Sequence, residues 1–331
     1  MVLSTAITKL FGIRAPIIQG GMHYVGYAPL SAAVANAGGL GLITALTQPT
    51  PEKLREEIQK AKSLLKPNCP GKVGVNLTIL PMLSKVPFED YVNVIIDEKI
   101  EIVETAGRPP AEYITMFKKH DIKIIHKCIS TRHAISAVKM GADAISLDGF
   151  ECAGHPGEED TGNYILQAMG ARELNVPFVT SGGVGNGRQL AASLALGASG
   201  VNMGTRFMAT VEAPIHDSIK QALVNGSNND TTLVMRSLRN TERVFKNKTV
   251  TEVQKIEAEH PGKIEKIIHL VKGDNYRKSF QETGDTESSV WSCGPVMALI
   301  DDVPTCDKLI NDMVSDAEKI IRDLQSVVVE Q

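Results

Sequence analysis

Along residues 15–207 short apolar runs alternate with longer amphipathic stretches. The runs are PIIQ (16–19), GLGLITA (39–45), KVGVNLT (72–78), IEIVETA (100–106), IKIIHKC (122–128), DAISLDG (143–149), PFVTSGG (177–183) and SGVNMGT (199–205). They are rich in Ile and Val and almost continuously apolar, which is how strands buried on both faces read. The stretches between them carry helix signals. PEKLREEIQKAKSLL has proline in its first turn, acids early and lysines late, as the helix dipole favours. STRHAISAVKMGAD opens on an N-cap serine and ends at Gly141, and GRQLAASLALGAS repeats the helix-then-glycine ending. Strand and helix in this alternation give a closed parallel barrel or a doubly wound open sheet, and the number of strand runs favours a (β/α)8 TIM barrel.

After Phe207 the pattern changes. Residues 212–295 hold the polar loop NGSNND, a basic helix candidate and a Gly/Ser-rich patch, with no further strong strand, and predict a small, mostly helical C-terminal cap. CDKLINDMVSDAEKIIRDLQSVV is amphipathic by its spacing of Leu, Ile, Met and Val. It predicts that residues 296–331 return to complete a barrel made by residues 1–211. Composition narrows the setting. Hydrophobic residues make up 43% and charged residues 22%, ordinary for a globular enzyme. A formal net charge of -3 gives no footprint for nucleic acid or an anionic membrane. The 5 cysteines are dispersed and lack C-x-x-C spacing, against a zinc site or disulfide framework and for a reducing compartment. No apolar run approaches the roughly 18 residues of a membrane span, and the N-terminus lacks a secretory pattern. The expectation is a cytoplasmic enzyme with no metal. Oligomeric state, a homodimer included, stays open.

The chemistry-bearing residues fall at the C-terminal ends of the strand runs: QGGM, NLT, ETAG, HKC, DGFECAGH, SGG and MGTR. That is the rim on which barrel enzymes build their sites. Ser181-Gly182-Gly183 and Gly204-Thr205 close the seventh and eighth runs, where barrels that take phosphorylated ligands form a backbone N–H cradle. No G-x-G-x-x-G opens a helix after the first strand, so a Rossmann reading fails. GFECAGHPGEED (149–160) sets one histidine among three glycines, a proline and four acids, far more than a turn requires. Taken alone, His126 reads as a hydrogen-bonded structural residue and Cys152 as a small packing residue. Glu158, Glu159 and Asp160 read as a solvated rim or helix start, and Asp148 as either the orienter of a neighbour or a turn cap.

QGGM, GVNLT, VETAG, IHKC, LDGFECAGHPGEED, SGG and MGTRF in this order, with MRSLRNTERV, GDTESSVWSCGPV and LIDD beyond them, strongly resemble the FMN-dependent nitronate monooxygenase superfamily. Within it the resemblance is to the NADH:quinone reductase group. His23-Tyr24 and Arg108-Pro109 depart from that group, which usually shows Gln-Trp and Asn-Asp there. The resemblance implies non-covalent FMN, with NAD(P)H as co-substrate and a quinone or a nitronate as small-molecule substrate. It implies Gly21 and Met22 against the isoalloxazine, Asn76 hydrogen-bonded to a flavin edge, and Lys127 as a positive charge favouring the anionic reduced form. Ala153 and Gly154 would give backbone contacts to the ring, while Ser181, Gly182, Gly183, Gly204 and Thr205 would hold the phosphate. His155 would be the catalytic residue, polarising a quinone oxygen or serving as base or polar contact for a nitro group. The implied function is NAD(P)H:quinone reduction, with nitronate oxidation by O2 as the alternative. Other flavin barrels such as enoyl-carrier-protein reductases share the phosphate rim, and a scaffold without chemistry would have no use for Lys127, His155 and the glycine loops together.

Overall fold

The computed structural model describes residues 3–79, 86–108 and 111–328. Its central feature is a closed barrel of eight parallel strands paired in chain order, with β1 bonded to both β2 and β8. The strands are β1 (Ile17–Gln19), β2 (Leu40–Thr44), β3 (Lys72–Ile79), β4 (Ile102–Gly107), β5 (Lys123–Cys128), β6 (Ala144–Asp148), β7 (Phe178–Ser181) and β8 (Val201–Met203). Each falls on the run expected for it, its ends shifted by a residue or two. The glycines of SGG and MGTR leave the ladder and become loop.

Helices α1 (Ala6–Phe11), α2 (Ala28–Asn36), α3 (Pro51–Ser63), α4 (Phe88–Asp97), α5 (Ala111–Lys118), α6 (Thr131–Lys139), α7 (Asn163–Glu173) and α8 (Gly187–Ala195) alternate with the strands. Their ends follow local chemistry. Thr50 caps α3 ahead of Pro51 by accepting the Lys53 N–H, and Ser130 caps α6 by accepting that of His133. Beyond α6 and α8 the chain turns through Gly141 and Gly197 at φ +110° and +96°, a region that favours glycine.

The barrel interior is divided by level. Ile18, Leu40, Leu42, Ile102, Ile125, Ala144 and Val179 form one apolar cluster with Ile7 and Phe11 of α1, which plugs the N-terminal end. Side chains two residues apart share a strand face. The next inward positions after Ile102, Ile125, Ala144 and Val179 are therefore Glu104, Lys127, Ser146 and Ser181. One face of each strand thus passes from apolar to polar on the way to the rim.

After α9 (Thr205–Met208) and α10 (Asp217–Asn225) comes the cap: β9 (Thr231–Val234), β10 (Glu242–Phe245), α11 (Lys248–Glu259), α12 (Ile264–Ile267) and α13 (Gly273–Lys278). The antiparallel β9–β10 hairpin corrects the expectation of no strand in 212–295. Each strand has only four residues and one edge fully paired, too short for a period-two pattern to stand out. A small core of its own, including Val234, Val244, Val250, Val253 and Ile267, lies beneath the cap. The amphipathic helix expected within 296–331 is α14 (Cys306–Gln325), packed on α8 and α2. No helix among the described residues is long and apolar enough to cross a membrane.

At Gly197 an added Cβ would lie 2.7 Å from Ala171 Cβ, in addition to the strain of its positive φ. Gly197→Ala is therefore expected to destabilise the fold by about 1–2 kcal/mol. Urea denaturation checks this, and an unmoved midpoint contradicts it.

Candidate active site

Glu104 has no exposed surface. Its Oε1 accepts from Asn76 Nδ2 at 2.8 Å and from the Gly21 N–H at 3.1 Å, and its Oε2 accepts from Asn202 Nδ2 at 2.7 Å. Asn202 Nδ2 also reaches Ser146 Oγ at 3.2 Å, and Ser146 Oγ donates to Asp148 Oδ1 at 3.3 Å. Asp148 Oδ2 lies 3.2 Å from Lys127 Nζ. These bonds join β3, β4, β5, β6 and β8 into a polar floor. Burial alone would push the Lys127 ammonium down, but the carboxylates of Asp148 and Glu104 outweigh it and hold the lysine above its ordinary value. Burial, with Asp148 nearby, pushes the Cys152 thiol up to about 12, so it is a neutral packing group. Gly20 and Gly21 run directly over this floor. A Cβ on Gly20 would lie 2.5 Å from Asn202 Oδ1, and one on Gly21 would overlap Asn76.

Above the floor is a cavity of about 650 Å³, within the roughly 300–1,000 Å³ of small-molecule and cofactor sites. One wall is the 149–160 segment, and the cap hairpin holds that wall in place. Gly154 donates to the Arg243 carbonyl at 3.1 Å, and Arg243 donates back to Gly154 at 2.6 Å. Arg243 Nε and Nη2 donate to the Phe150 carbonyl at 3.2 and 3.0 Å, with the guanidinium 4.8 Å from the Phe150 ring centre. Glu158 accepts from Thr241 N–H and Oγ1 at 2.9 and 2.6 Å. Asp160 takes a bidentate pair from Arg236 at 3.0 and 2.8 Å. Glu158 and Asp160 are thus clamps to the cap, which adds a role to the rim expected there; Asp160 and Glu159 stay exposed, Glu159 3.8 Å from Arg132. The cap also supplies Tyr276, Ser292 and Gly294 to the cavity. Tyr276 packs edge-on against Phe280 at 4.3 Å.

Gly21, Met22, Lys127, Ala153, Gly154, Ser181, Gly182, Gly183, Gly204 and Thr205 border this cavity together with His155. Asn76 is the exception. It is not on the cavity lining, and its Nδ2 donates to Glu104, which gives it a place in the floor. His155 is exposed at the mouth, with no hydrogen-bond partner among the described residues. His126 is buried with Nδ1 2.7 Å from Thr105 Oγ1, and burial lowers its pKa to about 4, leaving a neutral structural ring at neutral pH. Asp148, open between two readings, orients Lys127. His23 and Arg108 also line the cavity, while Pro109 lies outside the described residues.

Reading the sequence missed Glu104, Asn202 and the cap residues. The second acid of IEIVETA, set among apolar residues, and an amide in SGVNMGT were available signals; nothing local marks Tyr276 or Ser292. Gly182 and Gly183 lie at φ +84° and +74°. Among the described residues their N–H groups and that of Gly204 find no acceptor. Unaccepted donors beside a cavity suit an anion's oxygens, and this set fits the phosphate of a flavin mononucleotide.

Fold and site together define a (β/α)8-barrel enzyme with a cofactor-sized cavity at its C-terminal rim. A family model described as nitronate monooxygenase matches residues 4–81 and 68–316. The chain belongs to the nitronate monooxygenase family, whose members are flavoenzymes, and is an oxidoreductase. It is 32% identical to a (3aS,4S,5R,7aS)-5-hydroxy-7a-methyl-1-oxo-octahydro-1H-indene-4-carboxyl-CoA dehydrogenase of Rhodococcus jostii, over 96% of this chain and 97% of that protein. It is 29% identical to a probable nitronate monooxygenase of Staphylococcus saprophyticus, over 79% of this chain and 84% of that one. The structure of FabK from Thermotoga maritima superposes with a TM-score of 0.89 at 31% identity, covering 98% of this chain and 99% of that one.

Burial holds His126 neutral down to about 4, whereas its unfolded value is 6.5. As pH falls through that window the unfolded chain binds a proton that the folded chain refuses, so stability is lost, on the order of 3 kcal/mol in full. His126→Gln is expected to flatten this part of the urea-midpoint curve against pH. Parallel curves for the two proteins contradict it.

Proposed function

We propose that the protein is an FMN-dependent NAD(P)H:quinone oxidoreductase. One observation carries the reading: the buried carboxylates at and beneath the cavity are already committed. Glu104 accepts three N–H donors, Asp148 holds Lys127, and His126 is neutral and bonded to Thr105. No buried carboxylate is left to take a proton from carbon. Hydride passage between planar rings needs none, which favours a nicotinamide donor and a quinone acceptor.

Bound FMN supplies two-electron chemistry, accepting a hydride and passing it on. The chain's own residues do the rest. The N–H groups of Gly182, Gly183 and Gly204, with the Thr205 hydroxyl, would hold the phosphate. Gly21 and Met22 present a thin, polarizable surface to the ring, and Ala153 and Gly154 offer backbone on the other wall. Lys127 stays protonated and anchored by Asp148, so it serves as a fixed charge and hydrogen-bond donor. The imidazole of His155, free at the mouth, donates a hydrogen bond to a substrate oxygen. Tyr276 and Ser292 from the cap line the same cavity.

The relatives named for nitronate oxidation support a second reading, since a nitronate arrives already deprotonated and needs no base either. Anaerobic stopped-flow with NADH, NADPH and propyl-3-nitronate separates them. Rapid bleaching of the flavin by a nicotinamide, followed by reoxidation with a quinone, is expected. Bleaching by the nitronate alone sinks the reductase reading. Denatured protein is expected to release FMN, and FAD or a colourless protein contradicts the cofactor.

His155→Ala is expected to leave flavin reduction by the nicotinamide near the parental rate and to slow the quinone half-reaction. A group assisting proton transfer contributes about 10²–10⁴-fold, so the loss should stand well outside assay error. Equal rates in both half-reactions reduce His155 to a bystander.

A further inference from the structure

The Lys127 ammonium is the cation a reader of the sequence would place beneath a flavin, and alone it would favour electron uptake. The floor around it carries more negative charge than positive. Asp148 sits 3.2 Å from Lys127 and offsets it within one ion pair. Glu104 is left over. Its three partners, the Gly21 N–H, Asn76 Nδ2 and Asn202 Nδ2, are all neutral.

The hydrogen bonds around Glu104 are those of a carboxylate. Both its oxygens face N–H donors, and a protonated carboxyl would need an acceptor that none of them offers. The Gly21 N–H can only donate, so the Glu104 oxygen it meets is an acceptor, and Asn76 Oδ1 is met in turn by Thr78 Oγ1 at 3.2 Å. A buried carboxylate with only neutral partners is a costly choice for mere scaffolding. It is also close to the site. Gly21 and Asn202 both border the cavity, and each is one hydrogen bond from Glu104. Of the other charges on the lining, Arg108 is exposed and Glu151 partly so, with Glu151 accepting the Asn163 N–H. Solvent screens those two far more than a carboxylate with no exposed surface.

We infer that Glu104 acts through Gly21 and Asn202 as a buried counter-charge that lowers the reduction potential of the flavin held above the floor, making the reduced enzyme a stronger electron donor. The inference rests on flavin binding and does not depend on whether a quinone is the acceptor. It assigns Glu104 a positioning and tuning role rather than contact with substrate.

The test is a redox titration of FMN-loaded protein against a reference dye, with dithionite as the electron source and no nicotinamide or quinone present. Glu104→Gln is expected to raise the midpoint enough to shift the oxidised-to-reduced ratio at a fixed dye potential about tenfold, which for a two-electron couple is about 30 mV. Because the glutamine amide faces three donors, Glu104→Met is the companion variant, removing the charge without adding an N–H. Lys127→Met is expected to move the midpoint the other way. The exchange Glu104→Gln with Asn202→Asp returns one carboxylate to the floor and should bring the midpoint back toward the parental value. An unchanged or lowered midpoint in whichever charge-free variant holds FMN overturns the inference. A raised midpoint in a protein that nonetheless fails to reduce quinones leaves the inference standing and removes the quinone reading.

Discussion

A carboxylate with no exposed surface dictates much of this molecule. Glu104 is stable inside the barrel only if N–H donors meet it on every side, and the barrel supplies them from β3, β8 and the turn after β1. That requirement explains several residue choices at once. Asn76 and Asn202 must be amides, because each gives a donor without a competing charge. Gly20 and Gly21 must lack side chains, because the two amides occupy the space where Cβ atoms would go. The same closeness lets the cavity extend down to the floor, so a planar ring can lie against backbone rather than against bulky side chains.

The cap answers a different constraint. The 149–160 wall is rich in glycine, and Gly154 and Gly157 take positive φ, so little in its own sequence fixes its shape. The β9–β10 hairpin fixes it from outside. Backbone pairing at Arg243, two acid clamps at Glu158 and Asp160, and the Arg243 guanidinium on Phe150 tie the wall at both ends and in the middle. Gly154 and His155 can therefore sit in a segment that is flexible in isolation and still be held in a defined place. The cap core is separate from the barrel clusters, so the hairpin has its own support while it grips the wall.

These two features divide the work of the site. The floor sets charge and closeness, while the wall and cap set the mouth at which His155 is exposed. Buried carboxylates are absorbed by the floor, where amide N–H groups and Lys127 meet them.

The sequence by itself determined the barrel. Apolar runs such as IKIIHKC and DAISLDG, helix caps such as Ser130 and the glycines at 141 and 197 are local signals, and local energetics makes them readable. It also located the rim, because polar residues ending buried strands are conspicuous in a single chain. The glycine loops at 182–183 and 204 followed, since their freedom is a property of the residue. What the sequence could not decide was pairing across distance. Asn76 finds a partner in Glu104 on the neighbouring strand. Lys127 gains its meaning from Asp148, and the acids of GFECAGHPGEED gain theirs from Thr241 and Arg236. The TTLV and ERVF strands exist only because they find each other. An amide, an acid or a lysine has the same hydrogen-bonding capacity wherever it stands, and only tertiary structure chooses the partner that satisfies it.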